Sequence, residues 1–249
     1  MKIFKFFPFI FIITLNLFSA DSALEPEKYP FSFNKPLGKF DKNSAQRGLQ
    51  VYIEICASCH GLKHVAFRNL QELDYTKEQV NNIAGQFLVN DLPNEDGEVL
   101  KRKAIYSDQF VEPYENTNLA KIANNGAYPP DLSLMVKARK DGANYVRSLL
   151  LGYSDAPKEF DVGEGYYNKY MAGNIIAMPQ PLYGDDVIYK DGTIPTLEQE
   201  VVDITTFLTW AAMPDLEKRR AAGIKVLLFL LVMTFFFFFS YRKIWSDLK

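Results

Sequence analysis

The chain has 249 residues, of which 48% are hydrophobic, and its formal net charge is −2. Acidic side chains are concentrated in residues 23–215, which hold 27 of the 30 acidic but only 19 of the 28 basic residues and so carry a net charge near −8. A domain this negative argues against nucleic-acid binding, which depends on basic contacts to phosphate. It favours a basic protein partner, although an acidic face that only aids solubility is the simpler alternative.

Residues 1–22 are predicted to be a secretory signal peptide. Lys2 and Lys5 precede an almost wholly apolar stretch that runs from Phe6 to Phe18, and small residues follow it, as is typical of such signals. An uncleaved anchor helix is the alternative, but about 13 apolar residues are short for a membrane span. The signal predicts that the domain after it lies outside the cytoplasm.

A first helix, with Asn43 or Ser44 as its N-cap, is predicted to lead directly into a cysteine motif. The apolar residues Leu49, Tyr52 and Ile53 recur at helical spacing and mark its buried face. The motif therefore lies at the C-terminal end of this helix.

The motif reads CASCH and contains both cysteines of the chain, Cys56 and Cys59, followed by His60. CxxCH is the attachment pattern of haem c, in which two thiols form thioethers to the porphyrin and the next imidazole binds the iron. No further cysteine remains for a disulfide framework or a second zinc-ligand pair. A thioredoxin-like dithiol is the competing interpretation, but it gives His60 no role.

Two further helices are predicted in the same domain, one over residues 131–152 with a break near Asp141 and Gly142, and one from Thr196 to Pro214. Thr196 and Gln199 have the spacing of a capping box. Long segments rich in Pro, Gly, Asn and Asp separate the helices, and loops of this length are usually functional. These irregular segments are 24–43, 90–130 and 153–195.

Residues 216–249 are predicted to form a membrane anchor with a short cytoplasmic tail. The stretch 221–241 contains a single charge, Lys225, and as a helix it would span about 31 Å, close to the thickness of the hydrocarbon core. Basic residues flank it on both sides, so the positive-inside rule does not decide its orientation. The signal peptide does decide the orientation. It exports the domain across the membrane, so the C-terminus that follows the membrane helix is predicted to lie in the cytoplasm.

The second axial ligand of a six-coordinate haem is predicted to be Met178. The other histidine, His64, is only four residues from His60 and should not reach the opposite haem face; its simpler interpretation is an exposed polar residue. Two prolines follow Met178 within three residues and would stiffen its loop, whereas Met171 lacks this support. Thioether ligation raises the reduction potential.

Short motifs follow one another along nearly the whole chain. They are YPFSF (29–33), RGLQVY (47–52), CASCH (56–60), VAFR (65–68), LPNEDG (92–97), NNGAYPPDLS (124–133), MPQPL (178–182) and FLTWAA (207–212). In this order they resemble the cytochrome c1 family, the haem subunits of cytochrome bc1 (quinol–cytochrome c oxidoreductase) complexes. MPQPL departs from the proline register of some relatives, which would affect the stiffness of the loop rather than the ligand.

The resemblance implies a mainly α fold: a cytochrome c-like haem domain over 23–215 with long irregular insertions, plus one C-terminal transmembrane helix. It implies one covalent haem c, held by Cys56, Cys59, His60 and Met178. Arg139 matches a family arginine beside a haem propionate, although a surface helix arginine is the simpler interpretation. The carbonyl of Pro129 or Pro130 is expected to accept a hydrogen bond from His60 Nδ1.

The resemblance further implies transfer of single electrons from a Rieske iron–sulfur protein to a basic cytochrome c, with cytochrome b beside the anchor helix. The expected location is a bacterial inner membrane, with the haem domain in the periplasm. Such a subunit is not catalytic on its own. Two alternatives are a free-standing, membrane-tethered electron shuttle and a haem peroxidase, for which His64 is the only spare histidine.

Overall fold

The computed structural model describes residues 23–246 and confirms the mainly α fold class. Its α-helices are α1 Lys42–Glu54, α2 Lys77–Ala84, α3 Thr117–Ala123, α4 Met135–Ala138, α5 Gly142–Leu151, α6 Leu197–Ala212 and α7 Leu216–Ser246. Two small antiparallel ladders join β1 Leu88–Asn90 to β2 Lys101–Lys103, and β3 Tyr166–Tyr167 to β4 Ile175–Ile176. The signal peptide predicted for residues 1–22 lies outside the described residues.

Helix α1 begins two or three residues earlier than predicted. Its N-cap is Asp41, whose carboxylate accepts a hydrogen bond from the Ser44 amide at 3.1 Å. The prediction of Asn43 or Ser44 as the cap is therefore wrong. Ser44 is instead buried inside the helix, where its hydroxyl donates to Asp203 at 2.6 Å.

Helices α1 and α6 form the largest helix–helix contact in the described part of the chain. They approach most closely at Gly48, where an added Cβ would lie 2.0 Å from the carbonyl oxygen of Asp203. The buried carboxylate of Asp203 also accepts from Arg47 Nε at 2.8 Å. This contact fixes the direction of α1 and hence the position of the cysteine motif at its end.

The predicted helix over 131–152 is broken, as the sequence suggested. It consists of α4 and α5, separated by residues 139–141, and Asp141 has a left-handed φ of 63°. Helix α6 is capped by Thr196, whose side chain accepts from the Gln199 amide at 3.3 Å. The capping-box prediction is only half right, because the Gln199 side chain donates to Asp203 instead.

Helix α7 follows α6 after a short turn and has 31 residues. It is long and apolar enough to cross a membrane, and the most apolar part of it is not buried against the rest of the protein. Its first turns do contact the domain, because Leu216 is buried and Glu217 accepts from the Phe40 amide at 3.0 Å.

Candidate haem-binding site

The cysteine motif lies in a tight turn directly after α1. A 3₁₀ turn covers Cys56–Ser58, and the carbonyl of Cys56 accepts from the amides of Cys59 at 3.1 Å and His60 at 2.8 Å. The buried Tyr52, one turn before the motif, donates its hydroxyl to the His60 carbonyl at 3.0 Å. The first residue of the motif continues from α1 along the chain, and the last residue, His60, is held to α1 by Tyr52.

Both thiols are free and half-buried. Burial and the neighbouring Cys59 raise the pKa of the Cys56 thiol to about 12, so this thiol is protonated at neutral pH. Burial and the absence of low-pKa thiolate character do not fit the reactive cysteine of a dithiol oxidoreductase. They do fit a pair of thiols placed to form thioethers.

The orientation of His60 is set by Pro130. His60 Nδ1 lies 2.7 Å from the Pro130 carbonyl oxygen, and because a carbonyl only accepts, Nδ1 is the nitrogen that carries the proton. Nε2 is then left with its lone pair for a metal. This contact confirms the expected hydrogen bond from His60 Nδ1 to a proline carbonyl and selects Pro130 over Pro129.

Burial lowers the pKa of His60, and this effect outweighs the opposing influence of the Pro130 carbonyl and of Asp131. The imidazole is therefore neutral at physiological pH, which is the form that binds a metal.

The Pro130 carbonyl is itself fixed by the residues that follow it. The Asp131 carboxylate accepts from the amides of Lys63 at 2.8 Å and Ser133 at 2.9 Å. The Ser133 hydroxyl accepts from the His64 amide at 3.1 Å, and the Leu132 amide donates to the Gly61 carbonyl at 2.9 Å. Three of these hydrogen bonds join residues 131–133 to residues 61–64, and the fourth lies within residues 131–133. The sequence did not identify Asp131 and Ser133 as part of the site, although an Asp side chain commonly accepts from the backbone amide two residues later in a turn.

Met178 lies just after β4 and is half-buried. Its carbonyl accepts from the Tyr153 hydroxyl at 3.0 Å, and no hydrogen bond to its sulfur occurs among residues 23–246. The sulfur of Met171, by contrast, accepts from the Tyr145 hydroxyl at 3.6 Å. Of the two candidates, Met178 is the one whose sulfur has no partner in the described part of the protein.

Among residues 23–246, no hydrogen bond or ion pair connects the Arg139 side chain to the cysteine motif. Arg139 is exposed at the C-terminus of α4, and within residues 23–246 its guanidinium makes no hydrogen bond or ion pair. It is a free cation, available to an anionic group. His64 is exposed, as its simpler interpretation predicted.

A cavity of about 260 Å³ opens beside Cys59. Its lining includes Tyr114, Tyr128 and Pro129, and the Tyr114 hydroxyl lies 3.8 Å from Cys59 Sγ. The site therefore offers two free thiols, a neutral imidazole of fixed tautomer and adjoining space. These residues fit a covalently held haem. Within the described residues, no group of three or more His, Cys, Asp or Glu forms a further metal site.

Comparison with known proteins gives one consistent result. A family model described as the cytochrome c1 family matches residues 31–248. Cytochrome c1 1, a mitochondrial haem protein of Arabidopsis thaliana, is 43% identical over 232 residues, which cover 92% of this chain and 75% of the relative. The mitochondrial cytochrome b-c1 complex catalytic subunit of Candida albicans is 40% identical, with 93% and 81% covered. Cytochrome b/c1 of Bradyrhizobium diazoefficiens is 40% identical, with 90% and 36% covered.

The fold and site together define a class: a helical domain with a CxxCH turn on its first long helix, followed by one helix able to cross a membrane. Within that class, the chain belongs to the cytochrome c1 family. Membership of this family implies a haem cofactor and a role in electron transport.

Proposed function

We propose that this protein is a membrane-anchored c-type cytochrome that passes single electrons from a Rieske iron–sulfur protein to a basic cytochrome c within a bc1 complex. Family membership supports the coarser role of a haem subunit of that complex. The observation that carries the proposal is the hydrogen bond from His60 Nδ1 to the Pro130 carbonyl, directly after two free thiols. It prepares the imidazole to bind the iron of a haem whose porphyrin would be attached to Cys56 and Cys59.

A haem bound here supplies a one-electron couple; the surrounding residues hold it and set its potential. His60 would bind the iron through Nε2, and the hydrogen bond to Pro130 keeps the imidazole from rotating. Met178 would be the second iron ligand, and its thioether would favour the reduced iron and raise the potential. Arg139 would pair with a propionate, since its guanidinium is otherwise free among residues 23–246. A haem held by both ligands would carry electrons rather than bind a substrate.

The assignment of Met178 is tested by Met178→Leu. Loss of the thioether should lower the reduction potential, on the order of 0.1 V or more, and change the spin state. The matched control is Met171→Leu, which removes a methionine of the same loop region whose sulfur is occupied by Tyr145. An optical redox titration of both variants gives the answer. If Met178→Leu leaves spectrum and potential unaltered, or if Met171→Leu produces the shift instead, the assignment is wrong.

We place the haem domain, residues 23–215, on the periplasmic side of a bacterial inner membrane, with α7 as the single span and the C-terminus in the cytoplasm. One apolar C-terminal helix and a bacterial relative fit a single-pass membrane protein. Cytochrome b would contact α7. The name of the Bradyrhizobium relative, cytochrome b/c1, supports an association of these two proteins.

A further inference from the structure

A short loop of the domain is fastened to the start of α7. The guanidinium of Arg220 donates to the carbonyl of Phe33 at 3.0 Å and also to the carbonyl of Gly38. Glu217 accepts from the amide of Phe40. Three hydrogen bonds to two residues in the first turns of α7 therefore hold residues 34–39 against that helix.

This attachment fixes the loop at the level of the lipid headgroups. The apolar stretch 221–241 begins one residue after Arg220, and a helix rises about 1.5 Å per residue. The polar region on each side of the hydrocarbon core is about 5–7 Å thick. The carbonyls bound by Arg220 therefore lie beside the end of α7 that meets this region when α7 spans the bilayer.

The composition of the loop fits this position. Leu37 is 70% exposed at its tip, and Lys35 and Lys39 are exposed on either side of it. Neither lysine has a side-chain partner among residues 23–246. The neighbouring lysines differ in this respect, because Lys42 pairs with Asp74 at 2.6 Å and Lys218 pairs with Glu72.

Close contacts also fix the backbone conformation of the loop. A Cβ on Gly38 would lie 2.1 Å from the carbonyl oxygen of Ser32, so only glycine fits there. Ser32 in turn donates its hydroxyl to the Lys39 carbonyl at 2.7 Å.

We infer that residues 34–39 form a second membrane contact, in which Leu37 inserts between lipid headgroups while Lys35 and Lys39 bind the phosphates of anionic phospholipids. An exposed apolar residue between two cations is the chemistry of an interfacial anchor. This contact would fix the tilt of the domain over the bilayer. It depends only on α7 as the span, so it stands or falls separately from the electron-transfer proposal.

The insertion of Leu37 is tested by a nitroxide label on Leu37→Cys in the full-length holoprotein, reconstituted in nanodiscs of phosphatidylcholine and phosphatidylglycerol. Electron paramagnetic resonance then compares collisions with oxygen, which concentrates in lipid, and with a water-soluble nickel chelate. The matched control is Leu92→Cys, another exposed loop leucine at 84%. Labelling of the unsubstituted chain measures any background from Cys56 and Cys59.

The oxygen-to-nickel collision ratio should be several-fold higher at position 37 than at position 92. Equal ratios would overturn the inference. So would a ratio at position 37 that rises only when the other subunits of a complex are present, since the loop would then contact protein rather than lipid.

The role of the two lysines is tested in nanodiscs with and without phosphatidylglycerol. Anionic lipid should raise the collision ratio at position 37 in the native background, and Lys35→Gln with Lys39→Gln should abolish that rise. Lys103→Gln with Lys121→Gln removes two exposed lysines outside the loop and should leave the rise caused by anionic lipid unchanged. An equal response of the two double variants, or no response to anionic lipid at all, would contradict phosphate binding by Lys35 and Lys39.

Discussion

Glu200 is a carboxyl group in the core of the domain. Its side chain is fully buried on α6; one oxygen accepts from the amides of Asp186 at 3.0 Å and Val187 at 3.3 Å, and the other has no partner among the described residues. Burial, together with the nearby Asp186 carboxylate, raises its pKa from 4.5 to about 7, although the two amides act in the opposite direction. The folded protein therefore binds a proton that the unfolded chain releases near pH 4.5.

This difference predicts that the contribution of Glu200 to stability falls as the pH rises from about 4.5 to about 7. Glu200→Gln mimics the protonated form, so at pH 8 it should increase the free energy of unfolding by about 1–3 kcal/mol. Near pH 4.5 the difference should disappear. Thermal unfolding in detergent, followed by circular dichroism at both pH values, measures it.

Glu164→Gln, at an exposed loop glutamate, is the control and should show no such pH-dependent gain. A gain from Glu200→Gln that is equal at the two pH values would show that Glu200 is already ionised in the folded protein at low pH.

At the scale of single residues, the sequence identifies the haem-attachment residues, but it does not identify residues that only the fold brings into contact. CxxCH names Cys56, Cys59 and His60 because their spacing is local. Asp131 lies 71 positions after His60, and only the fold brings its carboxylate to the Lys63 amide. Glu200 was likewise missed, since a glutamate on a helix is normally taken as exposed.

Among the elements, the β1–β2 hairpin carries the strongest acidic cluster, Asp91, Glu95, Asp96 and Glu98, and all four residues are exposed. Asp91 differs from the other three, because Arg102 pairs with it at 3.3 Å. Glu95, Asp96 and Glu98 have no ion pair within residues 23–246. The unpaired negative charge of this cluster therefore comes from these three side chains.

Neutralising the three as Glu95→Gln, Asp96→Asn and Glu98→Gln should slow electron transfer to a basic cytochrome c at low salt, on the order of fivefold. The dependence of the rate on ionic strength should also weaken, because fewer charges steer the encounter. Stopped-flow spectroscopy over a range of salt concentrations measures both.

The control removes the same charge elsewhere, as Asp155→Asn, Glu159→Gln and Glu164→Gln in the loop after α5. If both triple variants slow the reaction equally, the rate depends on the net charge of the domain and not on the charges of the hairpin. If the hairpin variant changes neither rate nor salt dependence, this surface does not dock the partner.

The long helices were predictable, α1 and α6 from their apolar periodicity and α7 from its continuous apolar stretch, and so was the break between α4 and α5. Helix α2 was missed, although Thr76 and Gln79 form a capping box at its start and Val80, Ile83 and Ala84 recur at helical spacing, because eight residues are too few for such a pattern to identify a helix. Helix α3, with seven residues, was missed for the same reason. Short helices are stabilised by packing rather than by their own sequence.

At the scale of the whole molecule, one buried contact connects the site to the membrane. Helix α1 carries the cysteine motif and packs on α6 at Gly48, and α6 continues after a short turn into α7. The site is therefore held in a definite relation to the span, as a fixed electron-transfer station requires.

The central claim is tested most directly by isolating the protein from its membranes in mild detergent and recording its optical spectrum after adding a quinol. We predict that b-type haem copurifies and that the quinol reduces the c-type haem of this chain. A chain that is isolated without b-type haem, and whose haem the quinol leaves oxidised, would contradict its place in a quinol-oxidising complex.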